Sequence, residues 1–93
     1  LERNLLNTHE QNALMEILNK ELFQLWESLQ NAFVIKKVKL FGSEIEKLAK
    51  EYKQQDLKAY STKLLNSIQH FDIQKTKRLL AEFPDLIKRV SIN

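Results

Sequence analysis

With 93 residues the chain is long enough for one domain with a modest core, and its balance of 43% apolar to 29% charged residues excludes a disordered tail. The absence of cysteine excludes disulfides, thiol catalysis and thiolate metal sites, and suits a reducing compartment. A net charge of +3 is only mildly basic, and no uninterrupted apolar run is long enough to span a bilayer.

One glycine and one proline leave little room for sheets joined by tight turns. Apolar residues instead recur every three to four positions almost throughout, the period of amphipathic helices. Residues 1–7, opening on Leu1-Glu2-Arg3 without a methionine, are expected to be a lead-in from a preceding domain of a longer protein. Residues 8–93 are expected to form the domain itself.

The first helix is expected to start near Thr8, because Thr8-His9-Glu10-Gln11 has capping-box spacing: the hydroxyl accepts from the third amide and the glutamine reaches back. Leu14, Leu18, Leu22, Leu25 and Leu29 form its core stripe, widened by Ile17 and Trp26, to about Ala32. The second helix is expected from about Val34 to Lys53. Ile35, Val38, Phe41, Ile45, Leu48, Ala49 and Tyr52 keep one phase across it. Gly42 interrupts the middle, and Ser43-Glu44-Ile45-Glu46 could cap a restarted helix, but phase continuity favours a single rod.

The third helix is expected to open with Asp56 as N-cap and to bury Leu57, Tyr60, Leu64 and Ile68, with Leu65 beside them. It should end around Gln69-His70-Phe71. Asp72 then caps a fourth helix whose stripe is Ile73, Thr76, Leu80, Phe83, Ile87 and Val90, flanked by Leu79 and Leu86. Pro84 removes an amide inside that pattern and should kink or restart the helix near Phe83. Short links between long helices make consecutive ones antiparallel. The fold expected is therefore all-α, an antiparallel up-down-up-down four-helix bundle.

Catalytic or metal-binding constellations are not evident. His9 and His70 are far apart in sequence, and neither has a second ligand at helical spacing, so no metal site is expected. His70 near a helix C-terminus suits the dipole. Serines and threonines have no base in register, no glycine-rich phosphate loop is present, and neither a cofactor nor enzyme activity is expected of this chain. Carboxylates are expected to pair with lysines along helix faces, Glu46 with Lys50 for example. Trp26, Phe33, Phe41, Tyr52, Tyr60, Phe71 and Phe83 mostly occupy core phases and are expected to pack. Lys36, Lys37 and Lys39 form one basic cluster, and Lys75, Lys77 and Arg78 another; nearby Glu44, Glu46, Asp72 and Glu82 dilute both, which disfavours nucleic acid as a partner.

From Ile45 to Ile87 the order of residues resembles the second half of a histidine phosphotransfer (HPt) domain, the four-helix module of bacterial phosphorelays. Leu57, Leu64-Leu65, Ile68, Phe71-Asp72 and Leu79-Leu80 fall into that register. Counting back from Leu57 puts the phosphoacceptor position of the motif His-x-Leu-Lys-Gly at Ser43. Ile45 takes the motif leucine, Glu46 the lysine and Lys47 the glycine. Serine cannot form an exchangeable phosphoramidate, and Glu46 stands where a cation would help neutralise phosphate.

A longer stretch is similar to a helical segment at the C-terminus of hybrid sensor histidine kinases, which follows a receiver domain and lacks the active histidine. It is carried by Leu25-Trp26-Glu27-Ser28-Leu29, Val34 to Phe41, Phe71-Asp72-Ile73, and Leu79-Leu80-Ala81-Glu82-Phe83-Pro84-Asp85-Leu86-Ile87. The resemblance implies a cytoplasmic, non-catalytic module that docks a receiver or kinase domain of the same or a partner signalling protein and carries no phosphate. Membrane contact is not implied. On the second helix Lys36, Lys39, Ser43, Glu46, Lys47 and Lys50 make the candidate docking face. A helical module that dimerises its parent protein is the second expectation, and a small nucleic-acid binder the third.

Overall fold

The computed structural model describes residues 8–91, and every regular element among them is helical. A continuous N-terminal rod is built from α1 (Thr8–Ile17), a π-helical segment (Leu18–Leu22) and α2 (Phe23–Asn31). Then come α3 (Ile35–Glu51), α4 (Gln55–Gln69), α5 (Ile73–Ala81) and α6 (Phe83–Ser91). The expected lead-in, residues 1–7, lies outside the described residues, as does the side chain of Thr8.

The π-helical segment answers a problem of phase. Leucines spaced four apart drift about 40° per step around an ideal α-helix. In the wider turn the Phe23 amide donates to Leu18 O, five residues back. Leu14, Leu18 and Leu22 all stay buried, while Leu25 is half-buried. Gln11 does not complete a capping box: its Nε2 donates to Val90 O at 3.0 Å, tying α1 to the end of α6.

Unbroken through Gly42, α3 packs along α4. A Cβ on Gly42 would meet Leu65 Cδ2 at 2.8 Å and Cγ at 3.1 Å, so the glycine permits a close approach between the two helices. The N-cap of α4 is Gln54 rather than Asp56, which sits in the first turn, where its charge suits the positive end of the helix. The preceding turn explains the shift. Gln54 N–H donates to Ala49 O at 3.0 Å, with Lys53 left-handed at φ 53°. The α4–α5 turn repeats the device: Asp72 N–H donates to Ser67 O at 2.9 Å, with Phe71 at φ 56°. Asp72 then caps α5 by accepting from the Lys75 amide at 3.1 Å.

The expected break near Pro84 separates α5 from α6, with Pro84 in the first turn of α6, where its missing N–H has no helical partner to lose. Phe83 is fully buried at the break and anchors an aromatic cluster. Its ring centroid lies 4.9 Å from that of Phe41, 6.1 Å from Trp26 and 6.3 Å from Tyr60. One of the aromatic assignments changes: Phe71 is 74% exposed, because its place in the tight turn points it away from the core. Phe33 packs half-buried against the core beneath Lys77, whose Nζ stands 5.4 Å from the ring centroid. Ile73 is likewise exposed, at 36%, while Thr76 and Leu80 of the expected stripe, and Leu79 beside them, are buried in α5.

Candidate functional site

The placement of α3 follows from its buried side. Val38, Phe41, Ile45, Leu48 and Ala49 are buried, which commits the opposite side to the exterior. Ser43 lies there near the midpoint of the helix and is exposed. Lys36, Ser43, Lys47 and Lys50 recur along one line of α3, spanning about 21 Å at 1.5 Å per residue, and all are exposed. Lys39, also exposed, and Glu46, half-buried, flank this line. The structure thus brings the six candidate positions to one side of one helix.

The line contains a residue that the candidate face omitted. Leu40 falls between Lys36 and Ser43 and is 51% exposed. Its signal was present in the sequence, as an apolar residue out of phase with the core stripe of its own helix. Val34, at the start of the same helix, is 40% exposed. The ion pair on α3 also differs from expectation: Lys47 meets Glu44 at 3.6 Å, one helical turn away, rather than Glu46 meeting Lys50. Lys47 is largely solvated and Glu44 partly so, so this pair adds little stability.

Chemically, the face offers cations, a hydroxyl, the half-buried carboxylate of Glu46 and one exposed leucine to a partner. The histidines are elsewhere. His9 is exposed in the first turn of α1, and His70 closes α4, where its Nδ1 lies 2.9 Å from Asn66 O. Among the described residues no group of three or more histidine, aspartate or glutamate side chains could hold a metal ion, and no helix is long and apolar enough to cross a membrane. The second basic cluster is exposed on α5, with Lys77 engaged by Phe33.

No family model, curated protein or solved structure matches this chain.

Proposed function

We propose that this chain is an HPt-like module of a hybrid sensor histidine kinase that docks a receiver or kinase domain in the cytoplasm without carrying phosphate. The rods α1–α2, α3, α4 and α5–α6 then correspond to the four antiparallel helices of that module. One observation carries the reading: Ser43 stands exposed near the middle of α3, on a face of lysines with Leu40 beside it, where the resemblance places a phosphoacceptor histidine. A serine hydroxyl is a poor nucleophile unless a base activates it. Lys47, one turn on, supplies a cation already paired with Glu44. The face therefore retains the means to attract an acidic partner surface and lacks the group that exchanges phosphate with an aspartyl phosphate.

The test is incubation with a receiver domain carrying a radiolabelled aspartyl phosphate, alongside a nuclear magnetic resonance titration. Amide shifts confined to α3 around Lys36, Ser43 and Lys50, with no stable label on this chain, are the expected result. Label on His70 or His9, or shifts that avoid α3, would defeat the proposal.

A second reading, self-association, is favoured by Phe71, which exposes an aromatic ring at 74%. Light scattering that shows a monomer at high concentration removes it.

A further inference from the structure

Among the described residues, three of the four large apolar side chains left exposed gather where α4 turns into α5: Phe71, Ile73 and Val34. Phe71 and Ile73 belong to the turn and the start of α5. Val34 reaches the same level from the other side. Gly42 faces Leu65 across α3 and α4, and the same antiparallel register, carried about two turns further, brings Val34 level with Ile73. Phe33 is tied in directly, because Lys77 stands over its ring and lies one turn from Ile73 on the same side of α5. We propose that this end of the chain rests on an anionic lipid surface, with Phe71, Ile73 and Val34 entering the headgroup layer. No described helix is long and apolar enough to cross a bilayer, so the contact is peripheral.

The charge at this end matches such a surface. Residues 32–37 and 70–77 hold Lys36, Lys37, Lys75 and Lys77, all exposed, against one carboxylate, Asp72, which caps α5. Helices α3 and α5 start here with lysines and no acid in the first turn. The negative ends of α2 and α4 offset their dipoles, so the positive surplus resides in the side chains. Lysine stems lie along apolar surface while their ammonium groups reach phosphate, so both kinds of group engage one interface. Shape favours lipid over a protein partner. Two hollows at this end, of about 280 and 230 Å³, take in none of Phe71, Ile73 and Val34. These side chains project instead of lining a cleft, and a fluid headgroup layer accepts projections that a rigid partner would have to match with pockets. Phe71 also holds a left-handed backbone, at φ 56°, that glycine would adopt without a Cβ penalty, yet the position carries an aromatic ring. The α3–α4 corner makes the contrast: its hollow is lined by Lys50, Lys53 and Lys58, but by no exposed large apolar side chain.

The contact goes beyond docking through α3 and does not rest on it, although Lys36 belongs to both surfaces. The variants chosen therefore leave Lys36, Ser43, Lys47 and Lys50 in place. The chain is sedimented with vesicles of phosphatidylcholine, with and without phosphatidylserine, at low salt. Retention on the anionic vesicles, little on the neutral ones, and release by added salt are expected. Phe71→Gly should weaken retention roughly tenfold while relieving the left-handed position, so the loss is not one of folding. Lys37→Gln/Lys75→Gln should weaken it by a similar factor, whereas Lys53→Gln/Lys58→Gln, the same change of charge at the other end, should bind like the wild type. A spin-labelled lipid should broaden the amides of Val34, Phe71 and Ile73 and spare those of Gln55 and Lys58. No retention on anionic vesicles, equal losses from the two lysine pairs, or undiminished retention of folded Phe71→Gly would overturn the proposal. A dimer in lipid-free solution that Phe71→Gly dissolves would assign this end to a second copy and overturn it too.

Discussion

The indole N–H of Trp26 donates to the carbonyl oxygen of Leu80 at 2.7 Å, and this is the carbonyl that the absent amide of Pro84 would have met in a continuous helix. The break between α5 and α6 is thus closed from outside, by a side chain of α2. Leu79 O, one residue earlier, receives both Tyr60 Oη–H at 2.6 Å and the Glu82 amide at 3.0 Å. Trp26→Phe keeps much of the aromatic packing but leaves Leu80 O without its indole donor. It should cost about 2 kcal/mol by urea denaturation, more than the usual price of one exposed hydrogen bond. A loss below a few tenths would show that solvent replaces the indole.

Gly42→Ala sets two effects of similar size against each other. Alanine favours the helix by roughly 1 kcal/mol, but its methyl group enters the space of Leu65. Leu65 is half-buried and can give way in part, so the single change should be neutral to mildly destabilising. In a Leu65→Ala background the obstruction is gone, and the same substitution should stabilise by about 1 kcal/mol. Equal effects in both backgrounds would mean that the close approach does not matter.

Phe71→Gly should stabilise the chain by roughly 1 kcal/mol, measured by thermal denaturation, because glycine accepts the left-handed conformation without a Cβ penalty and little buried area is lost. Destabilisation would instead show that the ring packs usefully against its neighbours in solution.

Burial, assisted by the nearby Glu82 carboxylate, pushes the Tyr60 phenol well above its ordinary range. The folded chain keeps it neutral at alkaline pH values where the unfolded chain releases the proton. Its contribution is therefore complete below about pH 10 and is lost as pH rises beyond that point. Tyr60→Phe should cost about 1 kcal/mol at neutral pH through the lost hydrogen bond to Leu79 O. Above pH 10 the difference between wild type and variant should shrink, read from urea midpoints across pH; a constant difference would count against a buried neutral phenol.

The helices were legible in the amino-acid order because a 3.6-residue period is a property of each segment alone. Val38, Phe41, Ile45 and Leu48 declared one face of α3, and Lys36, Ser43, Lys47 and Lys50 followed onto the other by the same geometry. Asp72 as a cap and Pro84 as a break were equally local. Tertiary packing decided what depends on a second segment: that Gln54 and not Asp56 opens α4, because the left-handed turn at Lys53 sets where the chain re-enters a helix. It decided that Gly42 serves an approach by Leu65, and that Gln11 reaches Val90 rather than its own helix end. The hollow at the α3–α4 corner likewise depends on the sense in which two helices meet, since only a turn in space brings residues from separate helices to line a common surface.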